Sequence, residues 1–162
     1  MPTDYIIRPA VRSDIAGMQR LFRDTVLTIC RRNYTTEEVA DWASCGDSVA
    51  HWEELLSEHH YIVAHHWRDG IIGFSSMNAS GYLHAMFVHK AWQGMGVATA
   101  LLTEVEKMAR RYEASRIHVE VSMTARPFFE KRGFVMIREQ KAKANRLYLT
   151  NYVMEKILLA HN

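Results

Sequence analysis

Two glycines and several small residues, in the segment Gln93–Ala98, stand where a strand-like run meets a long helical pattern. The run Tyr82–Val88 predicts a strand, and apolar residues from Val97 onward recur at helical spacing. The first N–H groups of a helix have no internal partner and lie at the positive end of its dipole. Gly94 and Gly96 remove side chains that would block an approaching phosphate. The segment therefore predicts a site where backbone amides hold a pyrophosphate.

The glycine spacing matches neither of two common phosphate-binding motifs. No Gly-Lys-Ser/Thr follows Gly94 or Gly96, and the spacing differs from that of the Rossmann fingerprint. Two glycines before a helix can also do no more than make a tight turn. The local residues alone leave both interpretations open.

The elements around this segment predict an α/β domain with a mixed sheet. Three helices are expected between the first strand and Glu58, a long helix from Gly94 to about Tyr112, and a short helix over Ala125–Arg132. The strand–helix–strand unit from Tyr82 to Val121 is expected to be a right-handed parallel crossover. Seven strands are expected in all: Tyr5–Arg8, Tyr61–His66, Ile71–Met77, Tyr82–Val88, Arg116–Val121, Phe134–Lys143 and Leu147–Ile157.

Composition excludes several classes of protein. The 162 residues, 48% hydrophobic and 23% charged, predict a single domain over 1–162 that needs no disulfide or metal to hold its core. A net charge of +2 does not favour a nucleic-acid or membrane partner. With two cysteines, no signal-like start and no apolar run near the roughly 20 residues that span a bilayer, we expect a cytoplasmic protein.

Nine histidines are the one unusual feature of the composition. The pairs His59–His60 and His65–His66 flank a predicted strand, where neighbouring side chains face opposite sides. Three convergent ligands are not evident, so no metal site is predicted. These histidines are expected to be solvated residues at a strand edge.

The pattern Gln-x-x-Gly-x-Ala, at Gln93, Gly96 and Ala98, resembles the coenzyme A pyrophosphate motif of the GNAT superfamily of acetyl-CoA-dependent N-acetyltransferases. The run Ala125–Phe134 resembles the superfamily's last helix and the entry to its next strand, and Val153–Lys156 resembles its closing strand. The order of elements agrees as well. The resemblance implies a GNAT-type mixed central sheet of about six to seven strands, flanked by helices, with a splayed strand pair at the cofactor site.

The resemblance also implies how acetyl-CoA would bind. The pyrophosphate would lie on the N–H groups of Gly94–Ala98, and the pantetheine arm would run along a strand that splays from its neighbour at Val88 and Val121. Side chains on the next strand and helix would complete the site. The cofactor-binding residues implied are Met86, Phe87, Val88, Gln93, Gly94, Met95, Gly96, Val97, Ala98, Ser122 and Phe128.

The implied reaction is direct transfer of the acetyl group to a primary amine, which needs a base, a stabilised oxyanion and a proton for the leaving thiolate. His84 is the first candidate for the base, because imidazole titrates near neutral pH. Glu120 is a second, either as a base acting through water or as an anchor for a cation. Each has a structural alternative: a hydrogen-bonded strand histidine, and an edge salt bridge.

The general acid has no obvious candidate. Superfamily members often carry a tyrosine where this chain has Phe129, which has no proton to give. The asparagine that often enters the last helix is also missing, although Ser122 or Thr124 could replace its contact through a hydroxyl. A thiol with a pKa near 8.5 can also leave unassisted.

The acceptor side is implied to come from the first helices, with Tyr34, Asp41, Trp42 and Trp52 as the residues that suit an amine or a cation. Trp42 at helical spacing is also a common core residue. We expect a small-molecule amine substrate. A protein lysine or N-terminus as acceptor, and an acyl-CoA-binding module or sensor without turnover, are the alternatives. An exposed edge among the last strands predicts a homodimer.

Overall fold

The computed structural model describes residues 4–158, which form strands and helices in alternating blocks. The helices are α1 (Ile15–Thr28), α2 (Thr36–Ser44), α3 (Val49–Glu58), α4 (Val97–Arg111) and α5 (Arg126–Glu130). The strands are β1 (Tyr5–Pro9), β2 (His60–His66), β3 (Gly70–Met77), β4 (Tyr82–Leu83), β5 (Met86–Val88), β6 (Arg116–Ser122), β7 (Val135–Lys143) and β8 (Tyr148–Ile157).

The strands form two four-stranded sheets. The first has the order β1-β2-β3-β5 and is antiparallel throughout. The second has the order β4-β6-β8-β7, in which β4 and β6 form the parallel pair and the other pairs are antiparallel. This arrangement confirms the expected mixed α/β fold and the parallel pairing on either side of α4.

The predicted strand Tyr82–Val88 is divided in two, so the structure has eight strands where the sequence predicted six to seven. Tyr82 and Leu83 pair with β6, whereas Met86–Val88 pair with β3 in the other sheet. At the break, Ser75 Oγ donates to the Ala85 carbonyl at 2.7 Å. The side chain thus replaces a ladder partner that the backbone lacks there, and the splay of the two sheets is confirmed.

Helix α4 begins at Val97, not at Gly94 as predicted. Gly94 and Gly96 have φ of +72° and +86°, a left-handed conformation that glycine adopts without strain and that keeps both residues out of the helix. The apolar stripe that the spacing predicts on this helix consists of Val97, Leu101, Val105, Met108 and Tyr112. All of these residues are buried except Tyr112, which is 41% exposed. The stripe is therefore one residue shorter than its pattern indicated.

The N-terminal helices form a second core on the other side of the first sheet, around Met18, Val26 and Phe74. Helix α2 begins with a complete capping box: Thr35 Oγ1 accepts from the Glu38 N–H, and Glu38 accepts from the Thr35 N–H. The side chains of Thr35 and Glu38 satisfy amides that the first turn would leave unpaired.

Strand β7 is the outer strand of the second sheet. Its first three residues, Val135, Met136 and Ile137, are 60%, 45% and 49% exposed, and the register shifts between Met136 and Arg138. This exposed apolar edge is the place where the predicted homodimer would form, and the homodimer stays a prediction. Within residues 4–158, no helix is long and apolar enough to cross a membrane.

Candidate functional site

A cleft of about 490 Å³ opens where the two sheets diverge. Its lining comes from the splayed strands, from helices α1–α3 and α5, and from the β7–β8 hairpin. The structure brings nine of the thirteen predicted cofactor-binding and catalytic residues to this one cavity: His84, Met86, Phe87, Val88, Gln93, Ala98, Glu120, Ser122 and Phe128. Three of the four predicted acceptor-side residues, Tyr34, Trp42 and Trp52, line it as well.

The other four residues, Gly94, Met95, Gly96 and Val97, form the turn between two that line the cavity, Gln93 and Ala98. The Val97 side chain is 1% exposed and packs in the core. A residue there can therefore contribute only its backbone to a ligand. The N–H groups of the first turn of α4 have no helical partners, so the turn offers backbone donors at the end of the cleft.

Two side chains hold this turn in place. Gln93 Nε2 donates to the Val88 carbonyl at 2.6 Å, which ties the turn to the end of β5. Trp92 Nε1 donates to Asp69 Oδ2 at 3.1 Å in the β2–β3 connection. The glutamine that was predicted to contact the cofactor therefore also positions the loop that would hold it.

The edge of β5 gives the cleft one wall that can bind an extended ligand. β5 is the last strand of the first sheet and pairs only with β3 there. Across the cleft, Asn151 of β8 has a buried Oδ1 with no hydrogen-bond partner in the part of the chain that the structure describes. An unpaired strand edge and a free amide acceptor fit a ligand with amide groups, such as the pantetheine arm of coenzyme A.

His84 lies at the break between β4 and β5. Its Nδ1 is 2.8 Å from the Tyr61 hydroxyl, and its backbone N–H donates to Ser76 Oγ at 3.2 Å. Its ring stacks on His59 with centroids 4.7 Å apart. His84 is thus hydrogen-bonded within the sheet and also lines the cleft. Its role as a base stays a prediction.

The surroundings of His84 keep its imidazole neutral. Burial, together with charge repulsion from the nearby His59 and His51, lowers the pKa of His84 to about 4. A neutral imidazole is in the right state to accept a proton, but a group with so low a pKa is a weak base for an amine.

Glu120 is exposed on β6 and lines the cleft. Its Oε2 accepts a hydrogen bond from Gln140 Nε2 at 3.0 Å, so its partner is an amide and not the cation of an edge salt bridge. Its role as a base or as an anchor stays a prediction.

The two predicted acceptor-side aromatics differ in what they can offer. The Tyr34 hydroxyl donates to the Thr150 carbonyl at 2.6 Å and accepts from the Met123 N–H at 2.9 Å. Only its ring can therefore face a ligand. Trp42 is half-buried and packs edge-on against Tyr34 and Phe22, so its ring forms part of an aromatic wall.

Asp41 and Trp52, also expected on the acceptor side, are held by the protein itself. The Asp41 carboxylate accepts from the N–H groups of Asn145, Arg146 and Leu147 in the β7–β8 turn, at 2.9 to 3.1 Å. Trp52 is buried and donates to the Gly46 carbonyl at 2.9 Å. Neither is free for a substrate amine through its polar atoms, which corrects the expectation for Asp41.

At the entry to α5, Ser122 Oγ accepts from the Ala125 N–H at 3.0 Å. Ser122 thus caps the turn that leads into α5. Phe129 is 1% exposed and packs against Phe128 with ring centroids 5.2 Å apart. It fills the core and has no proton to give, so Phe129 cannot serve as the general acid.

Sequence reasoning missed Tyr61 and Ser76, which contact His84, and misjudged two of the other histidines. His66 is 1% exposed, and its Nδ1 accepts from the N–H groups of Arg68 and Asp69. His59 stacks on His84. Neither is a solvated edge residue. The adjacent serines of β3 were a possible signal, because polar residues inside an apolar strand need partners.

Comparisons with known proteins agree with this geometry. A family model described as an acetyltransferase (GNAT) domain matches residues 30–156. The chain is 28% identical over 148 residues to the uncharacterized N-acetyltransferase YafP of Escherichia coli K12, covering 91% of this chain and 93% of that protein. The crystal structure of a GCN5-related N-acetyltransferase from Rhodopseudomonas palustris has a TM-score of 0.91 and 27% identity, with 98% of both chains covered.

A more distant structure shares the fold. The PaiA N-acetyltransferase of Thermoplasma acidophilum, solved in complex with coenzyme A, has a TM-score of 0.75 and 18% identity over 96% of this chain and 100% of that one. The family match covers most of the chain. This chain belongs to the GNAT superfamily of acetyltransferases.

Proposed function

We propose that this protein transfers an acetyl group from acetyl-CoA directly to a primary amine of a small molecule. The observation that supports this most is the cleft between the splayed strands β5 and β6, which ends at the glycine turn before α4. Acetyl-CoA supplies an activated thioester when bound. The chain's own residues bind it, exclude water and orient the acceptor.

The residues proposed for the cofactor divide by what they offer. The backbone amides of Gly94–Ala98 hold the pyrophosphate, and the free edge of β5 pairs with the pantetheine arm. Ser122 and Phe128 lie across the cleft from β5 and bound the arm on its other side. His84 and Glu120 lie toward the acceptor and are the proposed catalytic groups.

A small acceptor is favoured over a protein chain because two parts of the molecule enclose the acceptor end. The region of helices α1–α3 contributes Tyr34 before α2, Trp42 of α2 and His51 of α3. The β7–β8 hairpin contributes Lys143 and Leu149 to the same cavity. A lysine or N-terminus of a folded protein needs an open groove for the flanking chain. The Asp41 bonds to the hairpin turn hold the hairpin against α2 on this side of the cleft.

The test is to incubate the protein with acetyl-CoA and a panel of small amines, and to measure coenzyme A and acetylated amine by chromatography and mass spectrometry. A thiol reagent is unsuitable, because Cys30 and Cys45 are free thiols. We expect coenzyme A to form in proportion to an acetylated amine. Binding of acetyl-CoA without turnover for any amine or peptide would favour the binding module, and acetylation of peptides alone would favour the protein acetyltransferase.

A further inference from the structure

The hydrogen bonds around His84 determine which of its ring nitrogens carries the hydrogen. Ser76 Oγ accepts from the backbone N–H groups of His84 and Ala85, each at 3.2 Å. A hydroxyl oxygen has two lone pairs, so both are used and Ser76 must donate its own hydrogen. The Tyr61 hydroxyl is the acceptor within reach of that hydrogen, since Tyr61 lies opposite Ser76 in the β2–β3 ladder.

Tyr61 extends this chain of hydrogen bonds to the imidazole. Its hydroxyl accepts from Ser76 and lies 2.8 Å from His84 Nδ1. Because Tyr61 is 3% exposed, its hydrogen needs a buried acceptor, and Nδ1 is in place to be that acceptor. Neutral His84 therefore accepts at Nδ1 and carries its hydrogen on Nε2.

A histidine in this tautomer donates to a ligand from Nε2 and has no lone pair there to remove a proton. The groups that face the ring do not favour its charged form. They are His51 of α3, His59 before β2, Tyr61 of β2 and Tyr82 of β4. None of the four is a carboxylate. Glu120 interacts with Tyr82 and not directly with the imidazole.

The rest of the lining carries few charged side chains. Among the cleft-lining residues of the part described, only Glu120 and Lys143 carry a full charge, and the two charges are opposite. The wall beside them is aromatic: Trp42 and Phe87 are half-buried, with ring centroids 6.2 Å apart, and Phe22 packs on both. Such a surface can pack edge-on or offset against the ring of an aromatic amine.

We propose that Tyr61 holds His84 as a hydrogen-bond donor into the cleft that takes no proton from the amine, so that the site acetylates amines that arrive uncharged, with weakly basic aromatic amines as the substrate class. This inference rests on the proposed function. The nitrogen lone pair forms the bond to the acetyl carbon, and the carbon–sulfur bond breaks with its electrons on sulfur. One N–H proton passes to the thiolate or to water. Tyr61 is a positioning residue in this scheme.

The tautomer can be measured without turnover. Long-range ¹H–¹⁵N NMR of the unliganded protein distinguishes a protonated ring nitrogen from a bare one. We expect His84 to show Nε2–H and a bare Nδ1, unchanged between about pH 6 and 8, and Tyr61→Phe to give a mixture of tautomers. An Nδ1–H form in the wild type, or a charge change within that range, would overturn the assignment.

The acceptor class is tested with two amines that share one ring, an arylamine and the matching arylmethylamine. An alkylamine with a pKa near that of lysine, about 10, is almost wholly protonated at neutral pH. We expect kcat/KM of the arylmethylamine to rise about tenfold per pH unit and that of the arylamine to stay flat. An inflection near pH 6–7 for both amines that disappears in His84→Gln would identify His84 as the base and contradict the proposal.

Variants separate donation from proton removal. His84→Gln keeps an N–H donor near the Nε2 position, so we expect kcat within about tenfold of wild type, whereas His84→Ala loses far more at an unchanged Kd for acetyl-CoA. The exposed His60→Gln is the control. Equal loss in His84→Gln and His84→Ala refutes the donor role. Acetylation of alkylamines alone refutes the acceptor class but keeps the proposed function, and absence of any turnover refutes both.

Discussion

Tyr34 shows how a single hydroxyl links distant parts of this chain. It follows α1, and its oxygen joins the Met123 N–H after β6 to the Thr150 carbonyl in β8. Burial raises the pKa of Tyr34 to about 12, so the hydroxyl stays protonated and keeps donating at any physiological pH. The sequence suggested the ring as a substrate contact but held no sign of these two long-range bonds.

Tyr34→Phe is expected to destabilise the protein by about 1–3 kcal/mol, because it leaves a part-buried N–H and a part-buried carbonyl without their partner. Urea denaturation measures the change. Tyr112→Phe, at a position that is 41% exposed, is the matched control and should change stability by less than about 0.5 kcal/mol. Equal stability of the two variants would show that the Tyr34 hydroxyl is replaced by water without cost.

Position along the sequence was enough to find His84 but not its properties. The resemblance placed it beside the cleft, as the structure does. Its hydrogen bond to Tyr61 and its stacking on His59 come from residues more than twenty positions away along the chain. Tautomer and pKa depend on those neighbours, so sequence reasoning predicted the residue and not the state in which it works.

At the scale of elements, Asp41 fastens helix α2 to the β7–β8 hairpin. Its carboxylate accepts backbone N–H groups of Leu147, Arg146 and Asn145, and these bonds hold its pKa below the ordinary value of 3.8. Both elements line the cleft. The sequence predicted the helix, the two strands and the turn near Asn145, but contacts between separate elements carry no periodic signal.

Asp41→Asn should reduce stability at neutral pH and remove part of its acid dependence. A carboxyl with a lowered folded pKa stabilises the protein above its unfolded pKa and loses that effect as pH falls through the folded value. The difference between wild type and Asp41→Asn is therefore expected to be constant from about pH 5 to 7 and to shrink below about pH 4. Denaturation curves across this range check it, with the exposed Asp47→Asn as control. A difference independent of pH would exclude the carboxylate as the cause.

The turn before α4 is the element whose backbone matters more than its side chains. A Cβ at Gly96 would meet nothing within 4 Å, but its φ is +86°. Gly96→Ala is therefore expected to cost about 1–2 kcal/mol from the left-handed conformation and to weaken acetyl-CoA binding at least tenfold by shifting the N–H donors. Isothermal titration measures the affinity.

Gly133→Ala is the control for Gly96→Ala. Its φ is +91°, and an added Cβ would meet only Lys156 at an ordinary 3.5 Å. It carries the same backbone strain but lies outside the cleft. We expect a similar loss of stability with unchanged affinity for acetyl-CoA. If both variants lose affinity alike, the effect of Gly96→Ala is general destabilisation and not the loss of a binding turn.

For the whole molecule, the important feature is that one chain segment crosses from one sheet to the other at His84–Ala85. Most of the remaining architecture was predictable, since the periodicities and turn residues gave the order of elements. The division into β4 and β5 was not, because it depends on Ser75 and Ser76 binding backbone groups that a continuous strand would pair itself. The same division creates the cleft.

A ligand in this cleft contacts both sheets, so its binding should stabilise the whole molecule. At a coenzyme A concentration one hundred times its Kd, the free energy of unfolding should rise by about 2.7 kcal/mol.

Hydrogen exchange then locates the contacts that coenzyme A makes in the cleft. We expect coenzyme A to slow exchange at the amides of β5 and at the first turn of α4, and adenosine 3′,5′-bisphosphate, which lacks the arm, to slow exchange only near α4. The amides of β1, the far edge of the first sheet, are the internal control. Equal protection of β5 by both ligands would mean that β5 tightens through the Gln93–Val88 bond and does not pair with the arm, and no protection at α4 would place the pyrophosphate elsewhere.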